Sequence, residues 1–169
     1  MKSIFSLLLL LCSSILFSQV NKIVYDDLKE ENIIYGECNK EGFLMQGFSD
    51  WFNEEYENYK VNEEVFDPGY SIKFDSIYVF LGTWCDDSHR EVPRFVKIMD
   101  NKYFAGTPVK YFCLDGDKAT DIIDTEEFYL QYIPTFIFYY RGEELCRIIE
   151  YPKDSLEEDI MDLLGRIQP

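Results

Sequence analysis

Cys85 lies between a stretch of strand-forming residues and a stretch with helical periodicity. The apolar run Ile77–Leu81 predicts a buried strand that ends in Gly82-Thr83. Beyond the cysteine, apolar residues recur at i, i+3, i+4 and i+7, which predicts a helix; they are Val92, Phe95, Val96 and Met99. Because unpaired N–H groups and the helix dipole favour an anion at a helix N-terminus, we expect Cys85 to act as a nucleophilic thiolate. The alternative is a buried structural cysteine.

The residues that follow Cys85 modify this expectation. The carboxylates of Asp86 and Asp87 disfavour a further negative charge beside them, although acidic residues also suit the first turn of a helix. His89, the only histidine, lies four residues after Cys85. It is either a proton carrier for the cysteine or a solvated surface residue. These residues have no known metal-ligand spacing, so we predict neither a metal site nor a cofactor.

Three motifs, in this order along the chain, resemble the thioredoxin superfamily. Trp84-Cys85 opens a WCxxS variant of the WCxxC motif, Pro93 stands where thioredoxins carry a helix proline, and Ile133-Pro134-Thr135 precedes an apolar strand. The likeness covers roughly Asp75–Arg166. It implies an α/β thioredoxin-like fold with a central mixed sheet flanked by helices. It also implies a cis-proline at Pro134, and substrate contacts at Trp84, Ile133 and Pro134.

Two positions depart from the thioredoxin pattern. Ser88 replaces the second cysteine, and Val79 replaces the buried acid that serves proton transfer. A serine hydroxyl can donate a hydrogen bond to the Cys85 thiolate, but it cannot attack a mixed disulfide, so release of a substrate needs another thiol. We therefore expect a thiol–disulfide exchange protein that uses Cys85 with Ser88 in the catalytic site. The alternative is a redox-inactive binding module that recognises an extended peptide or partner protein, with Ser88 only capping or packing.

Cys113 is the candidate resolving thiol within the chain. A strand predicted at Val109–Leu114 follows the Cys85 helix by a crossover, and such strands usually run parallel and adjacent. Cys113 then falls near the carboxyl edge of the sheet, where sites of open α/β folds gather. The alternative is a buried apolar cysteine.

The N-terminus predicts a targeting segment. Residues 1–18 have Lys2 followed by an apolar run, which is typical of a signal peptide. We thus expect an exported protein, periplasmic or secreted, with no membrane span in the mature chain. A lipoprotein anchored at Cys12 is disfavoured because small residues do not precede that cysteine. Residues 19–70 are predicted as an N-terminal extension with a helix, and residues 71–169 as the thioredoxin-like domain.

The remaining elements follow from local patterns. Strands are predicted at Asn32–Tyr35, Ser76–Leu81, Thr135–Tyr140 and Leu145–Glu150, and helices at Asp50–Tyr59, Asp86–Asp100, around Thr125–Gln131 and at Asp154–Arg166. The formal net charge of −16 argues against nucleic acid as a partner. The expected partners are protein or small-molecule thiols and disulfides.

Overall fold

Residues 19–66 and 74–166 are described in a computed structural model of the chain, and they form six strands and four helices. The strands are β1 (Lys22–Asp26), β2 (Glu31–Cys38), β3 (Ser76–Leu81), β4 (Val109–Cys113), β5 (Thr135–Tyr140) and β6 (Glu143–Ile149). The helices are α1 (Lys40–Phe43), α2 (Ser49–Asn58), α3 (Asp86–Met99) and α4 (Leu156–Arg166). The predicted signal peptide, residues 1–18, lies outside these residues.

The six strands form one mixed sheet in the order β1-β2-β4-β3-β5-β6. β3 and β4 are parallel, with α3 between them in sequence, whereas β2 pairs antiparallel with β4, and β5 pairs antiparallel with β3. The predicted α/β thioredoxin-like fold is confirmed. The segment predicted as an N-terminal extension contributes β1 and β2 to this same sheet.

Alternation along β3 divides the core between the two faces of the sheet. Ile77, Val79 and Leu81 belong to the larger cluster, which α2, α3 and α4 cover. Phe80 belongs to a smaller cluster on the other face. That cluster is closed by aromatic side chains and by the loop before β5. Successive side chains of a strand point to opposite faces, and this is why the continuous apolar run of β3 is buried on both sides.

The prediction of a helix around Thr125–Gln131 is wrong. The segment contains only a short 3₁₀ turn, Glu126–Phe128, and Tyr129 then adopts a φ of 50° in the left-handed region. A non-glycine residue in that conformation ends helical geometry. The segment is nevertheless anchored, since Phe128 packs against the smaller cluster.

No helix among the described residues is long and apolar enough to cross a membrane.

A buried carboxylate joins α4 to the segment after α2. Glu157 is only 1% exposed, and it accepts hydrogen bonds from the Tyr59 hydroxyl at 2.7 Å and from the Asn62 N–H at 3.0 Å. Burial and this carboxylate raise the pKa of Tyr59, so the phenol remains a neutral donor. The contact fixes α4 against the N-terminal half of the chain.

We predict that Glu157→Ala lowers the free energy of unfolding by roughly 2 kcal/mol, because two donors lose their buried acceptor. Urea unfolding measures the change. The matched control is Asp162→Ala, an exposed acidic residue of the same helix, which should change the value by less than about 0.5 kcal/mol. Equal effects of the two substitutions would contradict a special role for Glu157.

Candidate active site

Cys85 is the N-cap residue of α3. Its backbone N–H donates to the Gly82 carbonyl at 3.0 Å, and its own carbonyl accepts from the His89 N–H at 2.9 Å. Its side chain makes no capping hydrogen bond, and the residue is half-buried. The sulfur is therefore placed at the positive end of the helix without being used to hold the helix together.

The loop before β5 faces the Cys85 sulfur. The Cys85 thiol donates to the Ile133 carbonyl, with 3.6 Å between Sγ and oxygen. The peptide bond between Ile133 and Pro134 is cis. The structure thus brings together Cys85 and the Ile133–Pro134 segment, which were singled out from separate parts of the sequence. A thiol is a weak donor, so this contact costs little to break when the sulfur reacts.

Trp84 lies across the end of β3. Its Nε1 donates to the Leu114 carbonyl at 3.0 Å. A Cβ added at Gly82 would stand 2.7 Å from the indole Cε2 and Nε1, so only glycine leaves room for the ring there. The ammonium of Lys29 lies 3.6 Å from the centroid of the indole, a cation–π contact. Trp84 therefore fixes the loop around Cys85 and carries a positive charge over its ring.

Ser88 is completely buried in the first turns of α3. Its Oγ accepts a hydrogen bond from the Gly82 N–H at 3.3 Å. The serine thus joins the end of β3 to the helix that Cys85 begins. The hydroxyl has a structural partner, and the sulfur contact of Cys85 goes to Ile133 instead.

The sequence allowed two interpretations of His89, a proton carrier for Cys85 or a solvated surface residue. In the structure, the His89 side chain is held by a hydrogen bond and a ring contact. The Nε2 atom lies 2.7 Å from the Thr83 carbonyl and donates to it. The imidazole stacks on Trp51, with 4.4 Å between ring centroids. The Thr83 hydroxyl in turn accepts from the Ile34 N–H of β2 at 3.1 Å. His89 and Thr83 therefore tie the Cys85 loop to α2 and to the N-terminal hairpin.

The turn between β1 and β2 positions Lys29 over Trp84. This contact was not predicted from the sequence. The Asp26 carboxylate accepts from three backbone N–H groups, at 2.7 Å from Gly116, 2.8 Å from Leu28 and 3.0 Å from Lys29. The Gly116 bond is the largest cause holding the pKa of Asp26 below its usual value, and the two turn N–H groups and the Lys29 charge also lower it. The only signal in the sequence is an aspartate before a polar turn, a pattern too common to be specific.

The other three described cysteines make their sulfur contacts with groups other than Cys85. Cys113 is 0% exposed at the end of β4, opposite Leu81 in the register. Its sulfur contacts that of Cys38, 2.7 Å away, rather than that of Cys85. Cys146 is half-buried on β6, with its sulfur 4.0 Å from a guanidinium nitrogen of Arg166.

We predict that Cys85 is alkylated faster than Cys38, Cys113 and Cys146 in the folded protein. Cys38 and Cys113 are buried at 4% and 0% exposure, and accessible thiolates react first. Peptide mapping after timed iodoacetamide treatment near neutral pH measures the order. Cys146 is also partly accessible, and its sulfur lies beside the Arg166 guanidinium. Faster labelling of Cys146 than of Cys85 would contradict the assignment of the site.

We predict a pH-dependent stability difference between the wild type and Asp26→Asn. A lowered folded pKa means that the carboxylate stabilises the fold fully above its usual pKa of about 3.9. That contribution is lost as the pH falls through the lower folded value. In urea unfolding, the wild type should be more stable at pH 6, and the difference should shrink towards pH 2. Asp27→Asn, an exposed neighbour, is the control, and a pH-independent difference for Asp26→Asn would contradict the assignment.

Comparisons with known proteins identify relatives of the chain. It is 30% identical to thioredoxin H5 of Arabidopsis thaliana over 100 residues, which are 59% of this chain and 79% of the relative. It is 32% identical to thioredoxin H2 of the same plant over 84 residues, which are 50% of this chain and 59% of that relative. No protein-family model matches the sequence.

These relatives correct one prediction and support others. The prediction of an exported, periplasmic or secreted protein is wrong, because both relatives are thioredoxins of the H type and the match to them gives no support for export. The relationship supports a thiol–disulfide redox function in general terms, with protein thiols and disulfides as substrates. Two relatives at about 30% identity, one of them matched over 79% of its length, agree with the α/β fold of the mixed sheet and its flanking helices. The chain belongs to the thioredoxin superfamily.

Proposed function

We propose that the protein exchanges thiols and disulfides through Cys85 alone. The observation that carries the proposal is the position of the Cys85 sulfur. It stands at the start of α3, half-buried, with no capping role, and it contacts the segment that precedes β5. The residue one helical turn further on is a buried serine whose hydroxyl is bonded to Gly82. The site therefore has a nucleophile and no adjacent second thiol.

The chemistry proceeds in two exchanges. The Cys85 thiolate attacks one sulfur of a substrate disulfide, so a mixed disulfide forms and the other substrate sulfur leaves as a thiolate that takes up a proton. A thiol from solution or from a partner protein then attacks the mixed disulfide and restores Cys85. Ser88 cannot perform this second attack, and the Cys113 sulfur is engaged with Cys38. An external thiol is therefore the proposed co-substrate.

The position of the Ile133 carbonyl beside the Cys85 sulfur suits it to bind the backbone of a substrate. In the free protein this carbonyl accepts from the Cys85 thiol. Once the sulfur enters a mixed disulfide it has lost its proton, and the carbonyl becomes available to a backbone N–H of an extended substrate. Trp84, Ile133 and Pro134 are the proposed substrate contacts beside the new bond.

A redox-inactive binding module is the second candidate. Two observations favour it: Ser88 is buried in a structural hydrogen bond, and Val79 is a core residue where the family carries a buried acid. Such a module would hold an extended peptide at the Ile133–Pro134 segment without reacting. It would bind equally well after Cys85→Ala, whereas the exchange protein would lose its covalent adduct.

We predict that Ser88→Cys raises insulin reduction from near zero when dithiothreitol is supplied. The change adds the resolving thiol one turn from Cys85, so a mixed disulfide can be released internally. We also expect a stability loss of about 1 kcal/mol, since sulfur is a weaker acceptor for the Gly82 N–H. Insulin turbidity and urea unfolding measure the two effects.

Ser88→Ala is the matched control, because it also removes the hydroxyl but adds no thiol. It should lose similar stability and gain no activity. If a folded Ser88→Cys variant stays inactive, the missing second thiol is not the only reason that the site lacks reductase activity. In that case, binding of a disulfide-free extended peptide to the Cys85→Ala variant would support the second candidate.

A further inference from the structure

Cys38 and Cys113 form a pair of thiols that the proposed function does not use. Cys38 ends β2 and Cys113 ends β4, and these strands are antiparallel neighbours. The register places Cys38 opposite Tyr111 and Cys113 opposite Gly36. The two cysteines are therefore diagonal neighbours on one face of the sheet.

The two sulfurs are close and have each other as polar partner. They lie 2.7 Å apart, and each belongs to the larger core cluster, at 4% and 0% exposure. The bond length in a disulfide is about 2.0 Å. Closing the bond therefore requires the sulfurs to approach by about 0.7 Å, a movement within the reach of two side-chain torsions.

We propose that Cys38 and Cys113 form a reversible internal disulfide, a second redox site separate from Cys85, with hydrogen peroxide as the oxidant. A small oxidant is required because bulky disulfides cannot reach sulfurs this deeply buried. The bond would covalently join the N-terminal hairpin to the centre of the sheet.

The reaction balances with one peroxide molecule. One sulfur, as the thiolate, attacks a peroxide oxygen, and the O–O bond breaks to give a sulfenic acid and, after proton uptake, water. The other thiol attacks the sulfenic sulfur, and a second water leaves as the disulfide forms. Two thiols are oxidised and one peroxide is reduced to two waters. Burial and the contact with Cys113 raise the pKa of Cys38, so this pair reacts more slowly than the accessible Cys85.

The strands that this disulfide joins also support the Cys85 loop. Leu114, next to Cys113, donates to the Leu81 carbonyl at 2.8 Å and accepts from Trp84. In β2, the Ile34 N–H donates to Thr83. A covalent bond between β2 and β4 therefore restricts the movement of both strands, and with them the hydrogen bonds to Trp84 and Thr83, in the folded protein. It also constrains the unfolded chain over a separation of 75 residues, which should raise the Tm by roughly 10 °C.

The experiment is a hydrogen peroxide titration of the full chain, followed by alkylation, non-reducing peptide mapping and thermal unfolding. The expected result is a Cys38–Cys113 cross-linked peptide, the loss of two hydrogens, and a raised Tm that a reductant reverses. Cys85→Ala and Cys146→Ala should retain all three effects, whereas Cys38→Ala and Cys113→Ala should abolish them.

The wild-type map alone decides the proposal if either core variant fails to fold. Because the buried pair reacts more slowly than Cys85, the deciding sample is the wild type after prolonged incubation with excess peroxide. Free Cys38 and Cys113 in that sample, while the protein remains folded, would overturn the proposal. Detection of Cys113 linked to Cys85 instead of Cys38 would overturn it as well. Because the pair keeps its disulfide in the Cys85→Ala variant, loss of exchange activity at Cys85 and failure of this proposal are separate outcomes.

Discussion

The hydrogen bond from the Gly82 N–H to Ser88 Oγ joins the end of β3 to the first turns of α3, and the position of Cys85 depends on that junction. The chain must turn sharply between the two elements, and the indole of Trp84 lies so close to Gly82 that a side chain there would clash. With the strand end and the helix fixed to each other, Cys85 can serve as N-cap by its backbone alone. Its sulfur is then left to face Ile133.

The same junction limits the chemistry of the site. A thiol at position 88 would supply the second half of a reductase reaction, but the residue present is a buried hydroxyl that holds the loop in place. The surrounding contacts stabilise this arrangement from three directions. His89 bonds the Thr83 carbonyl, Ile34 of β2 bonds the Thr83 hydroxyl, and Asp26 holds the turn that sets Lys29 over Trp84. The base of the site is therefore fixed by contacts from β2, α2 and the turn before β2, while Cys85 itself stays half-buried.

Much of this arrangement could be predicted from local sequence, because β3 and β5 are continuous apolar runs bounded by glycine or proline, and the structure has both with the predicted bounds. β1 could not be predicted, since its residues are mixed and mostly accessible, and its pairing with β2 stabilises it. Cys113 lies, as predicted from the crossover, in a strand parallel and adjacent to β3. The pairing of β2 on the other side of β4, which brings Cys38 against Cys113, could not be predicted, because a contact between residues 75 positions apart leaves no local pattern.

In the proposed function, Cys85 captures a substrate sulfur and cannot release it without an external thiol. Intact-mass measurement of the reduced protein after a pulse of glutathione disulfide tests this most directly, with Cys85→Ala as the control. We expect one glutathione adduct on Cys85 that persists after the excess disulfide is removed and disappears only when a thiol is added. The Cys85→Ala variant should form no glutathione adduct during the same pulse. Absence of the adduct on the folded wild type, or its spontaneous loss with formation of an internal disulfide to Cys85, would contradict the account.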